Sequence, residues 1–389
     1  MKKCIENIKL ISEDGILNNR GILIDNGIIK KIYFVDDDND FKADQTINGQ
    51  GQYLSPGFID IHNHGNTGYD GVDGTQEAIK NIAKYHLKNG VTSFLGTTVT
   101  ASKPILEASI KAISSYQKSQ LSDSKAAFVE GIYFEGPFFN VLKKGAQPEQ
   151  SIIKPNSELM KHYIDLADGS MKVVALAPEI EGALEVVKTL NQHNIKSAIA
   201  HTDSTFEEAS LGIEKGMSIA THLYNGMRGF THREPGTVGA VLTNPNIMAE
   251  LIVDNVHLHP ASVDLAIKAK GIDNLILVSD AMRAAGLKDG SYDLGGQSVT
   301  VENGAAHLAD GTIAGSTLNL NQAIKNIIKS NNVAIEDAVK MAATNPAKAI
   351  GIYDKTGSIQ EGKRADLVFF DETITITKVM KNGNLFDID

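Results

Sequence analysis

A single cysteine, Cys4, stands in this chain of 389 residues. An intramolecular disulfide is therefore excluded, as is a metal cluster held by thiolates, and a reducing cytoplasm fits that usage. Positive charge is scarce as well: 37 Lys and Arg against 47 Asp and Glu leave a formal net charge of -10. That balance does not suit a nucleic-acid backbone or an anionic membrane as partner, although a locally basic pocket can still take an anionic substrate. No apolar run approaches the length of a bilayer span, and the opening Met1-Lys-Lys-Cys-Ile-Glu6 lacks the apolar core of a signal peptide. A soluble intracellular protein is expected. Tandem repeats and low-complexity tracts are also missing. What remains, 42% hydrophobic and 22% charged residues, is ordinary globular material, long enough for two or three domains or for a barrel with an addition.

Both ends of the chain read as β-structure. Short apolar runs, Ile8 to Ile11, Gly21 to Asp25 and Ile28 to Phe34, are broken by turns, and Asn26-Gly27 between two of them is a strong hairpin signal. Asp36-Asp-Asp-Asn-Asp40 reads as a solvated loop. At the far end, Ala365 to Phe370 and Ile374 to Met380 repeat the pattern, with Asn382-Gly383 as the turn. One small β-sandwich domain built from residues 1–54 and 357–389 is expected.

Between them, over residues 55–356, apolar strand-like runs alternate with helical patterns, the signature of βα units. Eight strands are expected: Phe58 to Ile61, Val91 to Leu95, Phe128 to Phe134, Val173 to Ala177, Ser197 to Ala200, Ser218 to Thr221, Ala249 to Val253 and Leu275 to Ser279. Eight is the number that closes a (β/α)8 TIM barrel. Helices are expected at Gly182 to Asn191 and Thr205 to Lys215, and a β-hairpin at Tyr292 to Thr300 as an insertion after strand eight.

In such a barrel the reactive groups sit where strands end, so the residues following each strand are informative. Strand one is followed by His62 and His64, two residues apart and so on one side of an extended chain. Strand three ends at Glu135, strand five at His201, strand six at His222 and strand eight at Asp280; strand seven ends near Asp254, with His257 and His259 in its loop. Each has an ordinary explanation alone: solvated strand-end histidines, a turn carboxylate at Glu135, a helix-flanking His201, a turn-capping Asp280. Together, carboxylate and imidazole from separate strands form the ligand set that holds Zn²⁺ or Fe²⁺ with a position open for water. Such an ion lowers the pKa of water to about 7 and polarises a carbonyl, which suits amide or ester hydrolysis. Asp280 is the carboxylate placed to move the proton. A second cluster, Thr221 to Gly236, adds Arg233 and main-chain donors around Asn225-Gly226; with His257 these suit a phosphate, where an isolated Arg233-Glu234 would suit a surface ion pair.

These residues resemble the amidohydrolase superfamily and, within it, the family of N-acetylglucosamine-6-phosphate deacetylases. The resemblance runs in order through Ser55-Pro-Gly-Phe-Ile-Asp-Ile-His-Asn-His64, Glu135-Gly-Pro-Phe138, Ala200-His-Thr202, Thr221-His-Leu-Tyr-Asn225, His232-Arg-Glu-Pro-Gly236, Ser279-Asp-Ala-Met282, Ala314-Gly-Ser316, Asn345-Pro-Ala-Lys348 and Gly362-Lys-Arg-Ala-Asp366. The first and last pieces are generic to the superfamily, while Glu-Gly-Pro-Phe, His-Arg-Glu-Pro-Gly and Ser-Asp-Ala-Met are specific to the deacetylases. The resemblance implies removal of acetate from N-acetylglucosamine 6-phosphate, in amino-sugar catabolism and recycling, with one or two divalent ions per subunit. It makes Glu135, His201 and His222 the principal metal ligands and Asp280 the base and acid. It gives Asn225, Gly226, Arg233 and His257 to the sugar phosphate, and Ala146, Gln147, Ile313, Ala314 and Gly315 to the sugar pocket. It implies a homodimer in which Arg233 reaches the neighbouring subunit's site. One departure stands out: the family's usual histidine after Lys-Gly-Ala is Gln147 here, which can donate a hydrogen bond but not carry a proton. His62 and His64 are retained, which leaves room for a second ion with Glu135 or Asp280 shared. The alternatives are the galacto epimer as substrate, a cyclic-amide hydrolase, and a non-catalytic sugar-phosphate-binding relative; the last predicts loss of a ligand or of the base.

Overall fold

The computed structural model describes residues 1–37 and 41–388. Asp38 to Asp40, part of the expected acidic loop, therefore lie outside the described residues.

The eight expected barrel strands all form, with ends shifted by a residue or two. They are Phe58–Asp60, Val91–Thr97, Phe128–Glu135, Met171–Leu176, Lys196–Ile199, Met217–Ala220, Met248–Leu251 and Leu275–Leu277. They lie side by side in chain order, every neighbouring pair parallel. The first and last strands meet just beyond their ends, where the Asp280 N–H donates to the His62 carbonyl at 2.9 Å and the His64 N–H to the Ala281 carbonyl at 2.8 Å. Asp60 adds a side-chain stitch, accepting from the Ser279 hydroxyl at 2.6 Å. The sheet is thus closed into a TIM barrel. Its strands are covered on both faces, as Val173 to Leu176 show by being fully buried, and so they read as continuous apolar runs rather than alternating ones.

At least one α-helix follows each strand, and three follow the last. The helix Gln76–Lys88 starts where the Thr75 side chain accepts from the Ala78 N–H, and it turns Ile79, Ile82, Ala83 and Leu87 inward at helical spacing. The expected helices after strands four and five are observed as Ala183–Gln192 and Phe206–Glu214, the second opened by a Thr205–Glu208 capping box. The insertion after strand eight is a three-stranded sheet, Gly290–Leu294, Gln297–Glu302 and Ala305–His307, one strand more than the expected hairpin.

The termini build a second sheet of eight strands, in which Lys2–Ser12 pairs parallel with Gln45–Pro56, and Gln45–Pro56 pairs antiparallel with Leu367–Phe370. Both expected Asn-Gly turns are present, with Asn26 and Gly27 at φ 50° and 80° and Asn382 and Gly383 at 48° and 75°, the left-handed pair that a two-residue hairpin needs. The two layers of the expected sandwich belong to this one sheet: the strand Ile28–Phe34 returns to residues 362–365 through bonds such as Ile29 N–H to the Lys363 carbonyl at 2.9 Å. Ile5, Leu10, Ile22, Leu54, Leu367 and Phe369 fill the space between. Arg364 and Lys381 fasten this unit to the barrel through Ser93, Glu130 and the Ala126 carbonyl, towards the amino ends of strands two and three. The carboxyl ends are left open.

Candidate metal centre and its cavity

The residues that follow the strands converge at the carboxyl rim. In one group, Nε2 of His201 and Nε2 of His222 each stand 3.3 Å from Glu135 Oε1 and 3.3 Å from one another. In the other, Asp280 Oδ1 lies 3.2 Å from His64 Nε2 and 3.6 Å from His62 Nε2. Within each group the donor atoms lie within 4.8 Å of one another. Glu135 stands between the groups, since its Oε2 is 3.4 Å from His64 Nε2. All six residues are buried.

Backbone geometry delivers them. His201, His222 and Asp280 have φ of 43°, 33° and 48°, left-handed values that swing a side chain off the strand line and into the barrel mouth. Left-handed backbone is a strained choice for any residue with a Cβ, of order 1–3 kcal/mol each, and it collects at functional sites.

The hydrogen bonds behind the imidazoles decide their tautomers. His201 Nδ1 faces the Lys143 carbonyl at 2.9 Å and His222 Nδ1 the Asn225 carbonyl at 3.1 Å. A carbonyl only accepts, so each Nδ1 carries the proton and each Nε2 presents a lone pair. Two bare nitrogens and a carboxylate oxygen within 3.3 Å repel one another unless a cation lies among them. The second group gives the same sign: His62 Nε2 is buried without a hydrogen-bond partner.

The electrostatics agree. Burial opposes protonation of His62, yet Glu250, Asp280 and Glu135 around it more than reverse that and push its pKa up to about 10. Burial would raise Asp280, but His62 and His64 bring it down to about 2. Burial also works against ionised Glu135, and the four histidines around it hold it well below the carboxylate range all the same. The rim is a place that favours positive charge, so the donor set fits a divalent cation.

A cavity of about 220 Å³ opens above the two groups. His64, Glu135, His201, His222 and Asp280 lie in its wall; His62 does not, being fully buried and stacked on Tyr133 at 4.6 Å between ring centroids. Ala146, Gln147, Asn225, Gly226, His257, Ile313 and Gly315 also line it. Ala314 does not: it is buried with Met282 and Val299 in the core of the inserted sheet. Arg233 is exposed, on a loop outside this cavity's wall. Its neighbour Glu234 accepts from the Phe206 and Gly236 N–H groups rather than pairing with it. His232 is exposed as well. His259 caps the helix Pro260–Lys270 by accepting from the Ala261 N–H.

Strand seven departs most from the sequence reading. Its strand-end acid is not the key one: Asp254 lies in the following loop and accepts from His257 Nδ1 at 2.7 Å. That bond, against the opposing effect of burial, raises the His257 pKa and favours an imidazolium facing the cavity. Within the strand sits Glu250, fully buried, accepting from His62 Nδ1 at 2.9 Å. Sequence reasoning passed over it, although a lone acid in the apolar run Ala249 to Val253 was the available signal. Gln147 is also put to a use that its residue type did not announce. Its Oε1 accepts from the Thr100 N–H at 2.9 Å, which fixes the amide so that Nε2 donates to Glu135 Oε2 at 2.8 Å. The glutamine holds the Glu135 carboxylate in place.

Comparison with known proteins bears on what the rim does. The Amidohydrolase family model matches residues 53–386. N-acetylglucosamine-6-phosphate deacetylase of Lysinibacillus sphaericus is 40% identical over 87% of this chain and 87% of its own. N-acetylgalactosamine-6-phosphate deacetylase of Escherichia coli O157:H7 is 34% identical over 97% of each. The crystal structure of N-acetylglucosamine-6-phosphate deacetylase from Pasteurella multocida superposes with a TM-score of 0.93 at 30% identity, covering 100% of both chains.

Proposed function

The chain belongs to the amidohydrolase family, and from that premise we propose that its cavity hydrolyses the acetamide of N-acetyl-D-glucosamine 6-phosphate to D-glucosamine 6-phosphate and acetate. The observation that carries this reading is the complete set of Glu135, His201, His222 and Asp280, spread over two adjoining buried groups at the foot of a cavity of about 220 Å³. A non-catalytic relative would be expected to have lost one of them.

Glu135, His201 and His222 would hold one divalent ion, Zn²⁺ or Fe²⁺, and His62, His64 and Asp280 a second. When bound, such an ion supplies a Lewis acid and lowers the pKa of water to about 7. Asp280, ionised and at the cavity wall, takes the proton from the water that attacks the acetamide carbon. As the C–N bond breaks, the same carboxyl returns the proton to the leaving nitrogen, so acetate and an amine result. His257, held as a cation by Asp254, and main-chain donors at Asn225-Gly226 receive the phosphate. Ala146, Ile313 and Gly315 shape the pocket around the sugar, while Gln147 keeps Glu135 in place. We place the enzyme in the cytoplasm as a homodimer, with the exposed Arg233 reaching the phosphate in the neighbouring copy's cavity.

The test is acetate release by purified, metal-analysed protein offered N-acetylglucosamine 6-phosphate, its galacto epimer and the unphosphorylated sugar. Removing the phosphate should lower kcat/KM by about 10²-fold or more, since each hydrogen bond to a charged group is worth about 1.5–3 kcal/mol. Equal rates with and without phosphate would remove the roles given to His257 and Arg233. The relative from Escherichia coli O157:H7 makes the galacto epimer the second reading, and faster turnover of that sugar would select it. No turnover of any sugar by metal-loaded protein would favour a binding protein.

A further inference from the structure

Glu250 is a carboxylate that the reaction itself does not use. It lies inside strand seven, fully buried. One of its oxygens does two things: Oε2 accepts from His62 Nδ1 at 2.9 Å and from the His222 N–H at 3.1 Å. Its other oxygen, Oε1, is buried with no hydrogen-bond partner. Burying a carboxylate is costly unless its contacts compensate, so such a residue in an otherwise apolar run calls for an explanation.

His62 supplies one. A carboxylate oxygen only accepts, so Nδ1 carries a proton, and once a metal cation displaces any proton from Nε2 that nitrogen is the one left to present its lone pair. That Nε2 has no hydrogen-bond partner and stands 3.6 Å from both Glu135 Oε1 and Asp280 Oδ1. The ring is stacked on Tyr133, which leaves it in-plane freedom that a bond at Nδ1 removes. The His222 N–H anchors the accepting oxygen, so Glu250 is positioned by one ligand strand and orients the ligand of another.

We infer that Glu250 is a positioning residue that fixes the Nδ1–H tautomer of His62 and aims its Nε2 at the metal centre. Partners of this kind orient a ligand ring and raise its basicity, and their loss costs about 10- to 100-fold in metal affinity. Glu250 touches neither the cavity nor the reacting atoms. The inference rests on the rim's being a metal centre, and the two can fail separately.

The experiment is a titration of metal-free protein with Zn²⁺ against a chromophoric chelator, together with the visible spectrum of the Co²⁺-loaded protein. Wild type, Glu250→Leu, Glu250→Gln, His62→Ala and the His62→Ala, Glu250→Leu double variant are compared. Glu250→Leu should weaken the affinity for one ion by about 10- to 100-fold and alter the Co²⁺ spectrum. Glu250→Gln keeps an accepting oxygen and should stay within about threefold of wild type, less than one hydrogen bond's worth. In the His62→Ala background Glu250→Leu should change little further, because its effect runs through that ring. Wild-type affinity in Glu250→Leu, or an undiminished further loss in the double variant, would overturn the inference. No Zn²⁺ binding by wild type would instead overturn the metal centre itself. Should Glu250→Leu fail to fold, ¹⁵N NMR of histidine-labelled, Zn²⁺-loaded wild type decides: a protonated Nδ1 and a metal-shifted Nε2 at His62 support it, and the reverse tautomer refutes it.

Discussion

The two candidate ligand groups are built differently. Glu135, His201 and His222 come from the ends of three strands, and loop carbonyls of Lys143 and Asn225 orient the two imidazoles. His62 and His64 come from a single extended segment, and a buried carboxylate, Glu250, orients one of them. Between that pair lies Asn63, facing the other way, where its side chain meets the Leu95 carbonyl and His86. The first group exists only once strands three, five and six are in register, and its supports are neutral. The second depends on sequence neighbours and on a charge brought in from strand seven. Glu135 and Asp280 face both groups, and Glu250 also accepts from the His222 N–H, yet the bonds that orient the imidazole rings are separate, and so the groups should be separable.

Substituting Asp280 tests the separation most severely. Asp280→Asn keeps the shape of the side chain but removes the group that moves the proton, so kcat should fall by about 10²- to 10⁴-fold while elemental analysis still finds metal at Glu135, His201 and His222. If activity survives, Asp280 is not the proton carrier. Next in size is His62→Ala with His64→Ala, which should lower the content from two ions to one. Loss of all metal would show that the groups stand or fall together and return the centre to strand one.

The smallest effect concerns the support behind Asn63. Burial lowers the pKa of His86 from 6.5 to about 3, and its Nε2 lies 2.9 Å from Asn63 Oδ1. A histidine held neutral in the fold but free to protonate when unfolded contributes fully above the unfolded pKa of 6.5, and that contribution is lost as pH falls towards the folded value. Between about pH 6.5 and about pH 5 the loss should come to about 2 kcal/mol, from 1.36 kcal/mol per unit. Denaturant unfolding of His86→Gln beside wild type should show the difference shrinking over that range. Parallel pH curves would mean that His86 is not held neutral.

Much of this was legible in the chain because its signals are local. Asn26-Gly27 and Asn382-Gly383 mark hairpins through two backbone angles each, and apolar runs mark strands buried on both faces. The rim could be anticipated because the barrel places strand ends together, so His201 and His222, far from Glu135 in the chain, had to converge on it. What escaped was long-range. Glu250 hid because it lies inside strand seven, which stops at Leu251, rather than at the strand end where the other rim residues stand. Gln147 reads as a lost proton carrier until the Thr100 N–H is seen to fix its amide.

The left-handed backbone at His201, His222 and Asp280 has a consequence for how this protein evolves. Strain of about 1–3 kcal/mol at each position is released by residues at ease there, asparagine and glycine above all. A population selected for heat resistance alone, with no screen for turnover, would be drawn to replace the two histidines first. On the proposed function its survivors would melt later and do no chemistry, so durability and catalysis would compete at the same three positions of this chain.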